Sequence, residues 1–226
     1  MQSGSRPSGA RRELRAPAGR PRDTQIDAAV LRTTRTLLED SGYTSLTLEE
    51  VARRAGTTKP AIYRRWPTRQ HLVIAALAIG LQEVRAPDTG CTLCDLNEGI
   101  NVFVAAFRQI RPDVLGPLLA ECASKPELRQ ALLTTLFEPP RRAVFQMLDK
   151  AVARGDLRDD LDTGLVVDML GSLVHYRALF GHAPIGEADV ERAVESLLRG
   201  IATDYPALVE HSRQLAATPR THAAHH

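Results

Sequence analysis

The sequence predicts an all-α protein, and three features carry that expectation. Apolar residues make up 43% of the 226 residues but aromatics only 4%, so the core must be built mostly from Leu, Val and Ala, which suits helices. No segment shows the sustained β-branched alternation of a strand. The apolar stretches are bracketed by Thr or Asp at one end and Gly or Pro at the other, the chemistry that starts and stops helices. Four segments are expected: a tail without regular structure over 1–19, a small N-terminal three-helix domain of helix-turn-helix form over 20–70, a larger C-terminal helical domain over 71–210, and a second unstructured tail over 211–226.

The first helix follows "MQSGSRPSGARRELRAPAG", which is rich in Ser, Gly, Pro and Arg and has no hydrophobic period. Asp23 or Thr24 is its expected N-cap, Ile26, Val30, Thr33 and Leu37 its inner face, and Gly42 its stop. The second helix opens on a capping box: Thr47 caps, and Glu50 three residues on reaches back. Leu48, Val51, Ala52 and Ala55 form its inner stripe, and Gly56 ends it as a left-handed glycine does. Thr58 caps the third helix, with Lys59 and Pro60 in its first turn, where a missing N–H costs nothing. Trp66 precedes Pro67, so this helix must end there. Thr68 caps a fourth that runs to a break at Pro87. Five further patterns lie near 93–110, 113–123, 126–154, 163–180 and 187–204, the third of them kinked by "EPP" at 138–140.

Charge is distributed unevenly along the chain. The net charge is +2, but residues 20–70 hold ten Lys+Arg against six Asp+Glu, and residues 71–226 hold fifteen against twenty. A basic front and an acidic rear suit a polyanion met by the front alone. Only three of the 29 basic residues are Lys, a bias that makes arginine content uninformative, so position must carry the argument.

Position does so in "GTTKPAIYRRWPTRQ", Gly56–Gln70. Two short helices joined by a tight Gly-containing turn form a helix-turn-helix, and the second is small enough for a DNA major groove. Ile62 and Trp66 can pin it to the bundle. Thr57, Thr58, Lys59, Ala61, Tyr63 and Arg64 are then left to face outward. Lys, Tyr and Arg supply phosphate contacts, Lys or Arg also reads guanine edges, and Ala61 can meet a thymine methyl. Thr47 offers a hydroxyl and a helix N-terminus to a phosphate, and Arg69 offers its guanidinium from the first turn of the next helix. Arg20 and Arg22, in "GRPR", suit an extended arm in a narrow minor groove.

These residues closely resemble the N-terminal domain of the tetracycline-repressor (TetR) family. The likeness spans residues 26–77: Gly42-Tyr43 at the end of the first helix, the Thr47-to-Gly56 helix, and the Ile62-Tyr63…Trp66-Pro67…Arg69 run. Pro60 departs from the small residues common there. The resemblance implies a homodimeric transcriptional regulator, usually a repressor, whose rear domain binds a small molecule. By position, Lys59, Ala61, Tyr63 and Arg64 would face the groove, and Thr47, Thr57, Tyr63 and Arg69 would hold phosphates. It also places the helices at 163–180 and 187–204 in a four-helix dimer interface. Their stripes are Val166, Val167, Leu170, Leu173 and Val174, and Val190, Val194, Leu197, Leu198 and Ile201, with Gly171 allowing a close backbone approach.

An effector pocket is expected among the earlier helices, from Phe103, Phe107, Leu118, Cys122, Phe137 and Tyr176, with Glu121 and His175 as polar residues in apolar runs. A partner set follows: double-stranded operator DNA, a second copy of the chain and a small-molecule effector. The alternative is a DNA-binding dimer with no effector. No phosphate loop, metalloprotease helix, nucleophile elbow or paired-carboxylate site marks an enzyme. No cofactor is expected. Cys91 and Cys94 are expected as reduced thiols rather than metal ligands, because no second pair or nearby histidine follows. With no apolar run of membrane-spanning length and no secretory signal, the expected location is the cytoplasm.

Overall fold

The computed structural model describes residues 20–81, 86–108, 110–184 and 186–217, with only the backbone at 20–23, 102, 106 and 108. The tail at 1–19 and the last residues, 218–226, lie outside that description. Every regular element among the described residues is helical: α1 Arg20–Ser41, α2 Leu48–Arg54, α3 Lys59–Tyr63, α4 Arg69–Leu77, α5 Thr92–Arg108, α6 Pro112–Ala123, α7 Pro126–Leu132, α8 Glu138–Ala153, α9 Thr163–Phe180, α10 Glu187–Ile201 and α11 Tyr205–Ala217.

Three threonines start the front helices. Thr47, Thr58 and Thr68 adopt extended backbone and accept from the amides of Glu50, Ala61 and His71 respectively. Each satisfies a donor that would otherwise be orphaned at a helix start. The capping box at α2 is only half formed: the Glu50 carboxylate accepts from Arg53 and Arg54 instead of reaching back, because two guanidiniums one turn on outbid one amide. Gly56 ends α2 at φ +64°, with Thr57 N–H on the Ala52 carbonyl and Gly56 N–H on the Arg53 carbonyl, the paired bonds of a Schellman turn.

Several expectations are corrected. α1 begins at Arg20, before the expected cap, and Thr34 rather than Thr33 faces inward, fully buried, with its hydroxyl on the Val30 carbonyl. α4 ends at Leu77 and tightens into a 3₁₀ turn, Ala78–Leu81; residues 82–85 are not described. Between α7 and α8 the kink is a π-helical segment, Leu133–Phe137. Pro139 and Pro140 cannot donate to carbonyls four residues back, and a wider turn absorbs the mismatch. α11 was not expected, and it reaches seven residues into the stretch read as a tail. Cys91 and Cys94 are joined as a disulfide at the start of α5, their Cα atoms 5.2 Å apart; a three-residue spacing at a helix start turns both side chains to one side.

The helices enclose one continuous apolar core that runs from Val30 in α1 to Leu208 in α11. α5 lies at its centre, against α8, α9, α10 and α11. Gly99 leaves room for the end of the Met147 side chain of α8, which a Cβ there would displace. α4 packs on α1 in front and on α6 and α7 behind, so the front helices share the core of the rear. Val51, Leu72, Leu118, Leu136, Val144, Val167 and Leu198 are fully shielded from solvent, each contributing about 1.5–3 kcal/mol of transfer free energy.

Candidate nucleic-acid interface

α3 is held from below and open above. Ile62 is buried at 1% exposure and Trp66 packs against the core, while Tyr63 stands 46% exposed and Arg64 is exposed beside it. Thr58 and Thr47 are exposed at the starts of α3 and α2, and Thr57, Lys59 and Ala61 are half-exposed between them. Each of these candidate groove and phosphate residues is thus at least partly open to solvent. The basic side chains here are not all idle. Lys59 is paired with Glu49, an acidic neighbour the sequence reading passed over; its ammonium holds the Glu49 carboxyl below the usual range. Arg53 first, and then Arg54, draws the Glu50 carboxyl down to about 2. Arg65 is tied to Asp27 of α1 at 2.7 Å, bracing α3 against the first helix.

Arg20 and Arg22 depart from expectation in backbone form. Both lie in the first turn of α1, so this stretch is not an extended arm; their side chains are not described.

Arg69 faces two ways. It lies in the first turn of α4, and its Nη1 donates to the carbonyl of Leu46, the residue before Thr47, at 3.4 Å. Its Nη2 donates to Glu121 of α6 at 2.9 Å, and its guanidinium lies 4.4 Å from the centre of the Tyr43 ring. Glu121 also accepts from the Tyr43 hydroxyl at 2.6 Å and from Gln70. These bonds, the tyrosine's foremost, keep its carboxyl below the usual range, and burial with the adjoining carboxylate pushes the Tyr43 hydroxyl up. Glu121, expected in an effector pocket, is therefore a junction between the front helices and α6.

Of the other candidate pocket residues, Phe103, Phe107, Phe137 and His175 come together. The imidazole sits edge-on among the three rings, at centroid distances of 5.8, 4.5 and 4.8 Å. Its Nε2 is buried without a hydrogen-bond partner, and burial lowers its pKa to about 4. The nearest neighbours of Gly171 within the chain are the rings of His175 and Phe103 rather than a backbone. Leu118 and Cys122 are buried in α6, where burial raises the Cys122 thiol.

A cavity of about 370 Å³ adjoins this cluster across Phe107, between α5, the start of α6 and the end of α9. Val104, Ile110, Pro112 and Val174 make it apolar, and Arg111 and Arg177 supply its polar atoms. Arg111 is bidentate on Asp113 and donates to the Glu39 carbonyl of α1 at 2.9 Å. Arg177 joins Asp189 and the Pro184 carbonyl. Neither arginine was singled out from the sequence. Arg111-Pro-Asp does mark a helix start, but nothing local reveals a cavity behind it.

Tyr176 is 56% exposed and meets Phe180 at a tilt and His182 edge-on. With Leu165, Met169 and Phe180 it forms an exposed apolar row along α9. Of the stripes on these two helices, Val166, Val167, Leu170 and Val174 on α9 and Val190, Val194, Leu198 and Ile201 on α10 are buried within the chain, the intramolecular part of a role expected to be shared between core and partner.

An exposed basic helix on a helix-turn-helix frame, joined to a helical domain with its own cavity, defines a DNA-binding transcriptional regulator. Comparison with known proteins gives the family. Residues 30–76 match the family model for bacterial regulatory proteins of the tetR family, and residues 86–197 match the tetracyclin repressor-like C-terminal domain. The chain belongs to the tetracycline-repressor family. It is 24% identical to the HTH-type transcriptional regulator YdeS of Bacillus subtilis, over 83% of this chain and 96% of that one. It is 28% identical to the DNA-binding transcriptional repressor TetR of Mycobacteroides abscessus, over 76% and 90%. Among solved structures, the TetR family transcription regulator SCO0332 superposes with a TM-score of 0.62 at 29% identity, over 78% of this chain and 98% of that one. Its family members are regulators of transcription, not enzymes. Among the described residues, no helix is long and apolar enough to cross a membrane.

Proposed function

We propose that the chain acts as a cytoplasmic homodimeric repressor, released from a palindromic operator by a small lipophilic effector. The observation that carries this reading is the outward presentation of α3: Tyr63 and Arg64 exposed on a helix whose Ile62 is buried. One such helix covers only a few base pairs, and pairing two heads on half-sites one turn apart, about 34–36 Å, multiplies a modest affinity. The apolar row Leu165, Met169, Tyr176 and Phe180 is the surface on which a second copy would close, since exposed apolar patches rimmed by polar residues mark interfaces. The repressor sense is supported by the name of the Mycobacteroides abscessus relative.

The effector reading rests on the cavity beside Phe107. Its volume suits a small ligand, and α6, which walls it at Arg111 and Pro112, also carries Glu121 to the front helices. The test is to capture genomic fragments on the purified protein at low and high salt and sequence them. A shared palindrome, bound less tightly as salt rises, and released by a lipophilic compound that fails on a variant with Val174 enlarged to Trp, is the expected result. Sequence-independent capture alone would overturn the operator reading. A palindrome that no compound releases would leave a dimeric regulator without an effector.

A further inference from the structure

We propose that Glu121 competes with the DNA backbone for Arg69, so that the regulatory domain holds back one phosphate contact in each head. The inference rests on the reading of Arg69 as a phosphate contact. Arg69 lies in the first turn of α4 and donates to the carbonyl of Leu46, the residue before Thr47, the cap of α2. Yet its guanidinium is bound by a carboxylate from α6, a helix of the rear domain. A guanidinium has more donors than Glu121 uses, so the effect is not simple blockage. A phosphate arriving at Arg69 meets a neutral pair instead of a cation, and the carboxylate, 2.9 Å from the guanidinium, repels it.

The carboxylate is well placed to persist in this role. Tyr43 and Gln70 donate to its other oxygen, so it is oriented by two neutral donors from the front helices and stays ionised. The ring of Tyr43 then forms a floor beneath the guanidinium. Tyr43 is buried, whereas Glu121 keeps 37% of its side chain exposed, so the pair lies at a wet edge of the junction where a phosphate oxygen can reach. Withdrawing α6 would return Arg69 to the DNA, and pressing it in would neutralise Arg69 again.

The salt dependence of DNA binding separates this charge competition from a merely structural role. Wild type, E121Q, R69A and the double variant E121Q/R69A are titrated by fluorescence anisotropy against a duplex that wild type has itself selected from a random pool. E121Q is expected to bind roughly threefold to tenfold more tightly at low salt, with the slope of log K against log salt steeper by about 0.9 per head. R69A alone is expected to flatten the slope by less than half that amount, because Glu121 already neutralises the cation, and R69A within E121Q to abolish the gain. E121A serves as a second removal of the charge, with thermal melting of each variant recorded alongside. The proposal is overturned if E121Q and E121A keep the wild-type slope. It is equally overturned if R69A by itself flattens the slope by about 0.9 per head, because Arg69 would then already be on phosphate. Failure of wild type to select any duplex would instead remove the DNA-binding reading on which the competition depends.

Discussion

The front helices and the helical domain behind them are organised over different ranges of sequence. In the front, the contacts that shape each helix join neighbours: Thr47 with Glu50, Thr58 with Ala61, Thr68 with His71. In the rear and at the junction, the decisive contacts bridge long separations. Tyr43 meets Glu121 across 78 residues, Arg69 meets Glu121 across 52, and Arg111 reaches Glu39 across 72. The front is therefore a unit whose surface is set by local chemistry, and the rear is where distant segments can alter one another. A regulator needs both, a fixed reading head and an adjustable body.

Four variants probe that contrast, taken from the largest expected effect to the smallest. Breaking the exposed row on α9 with M169E together with F180E should leave a folded monomer, read by light scattering. Operator affinity should then drop by roughly a factor of 10² to 10⁴, the contribution of joining two heads. Retained dimers would move the interface elsewhere. In the front, I62A removes the single buried side chain that pins α3. It should cost about 2–5 kcal/mol in denaturant unfolding; a loss under about 1 kcal/mol would mean that Trp66 carries α3 alone.

The rear should respond to acid. The His175 pKa is lowered to about 4 by burial, so the unfolded chain takes up this proton first as pH falls. Its contribution is complete above the ordinary value near 6.5 and is lost as pH falls towards 4, up to roughly 3 kcal/mol. Replacing it by H175L should flatten stability between those limits; an unchanged pH profile would mean that another group is responsible. The smallest effect is expected from T47A, which removes the cap of α2 and should cost about 1 kcal/mol of stability. A loss of DNA affinity beyond that of a matched cap variant, T68A, would add a phosphate contact for the Thr47 hydroxyl.

The same contrast explains what could be read without the fold. The three capping threonines, the Gly56 turn and the burial of Ile62 beneath an exposed Tyr63 all follow from residues within a few positions of one another. The capping box fails in the front because a stronger local competitor wins: Glu50 bonds the guanidiniums of Arg53 and Arg54 rather than its own cap. In the rear, apolar spacing located α9 and α10 but not their outward faces. The stripes with the strongest period turned inward, leaving Leu165, Met169, Tyr176 and Phe180 exposed. α11 has a weaker pattern, with Leu208 as its one deeply buried residue, so its last seven residues read as tail. Phe103, Phe107, Phe137 and His175 stand in the sequence only among a longer set of pocket candidates, with His175 coupled to Glu121, and their grouping comes from the packing of three helices. Glu121 was noticed for being polar in an apolar run, but its partners come from two other helices, and no periodicity in α6 points to them.

The most direct test of the account is hydroxyl-radical footprinting of the protein on a selected duplex, with Y63A and R64A run beside wild type. The account predicts two protected patches on one face of the DNA, about 34–36 Å apart and related by two-fold symmetry. Both should fade together in each variant, while the unbound proteins melt like wild type. A single patch, or protection that survives both substitutions, would contradict the claim that α3 reads the operator in a dimer.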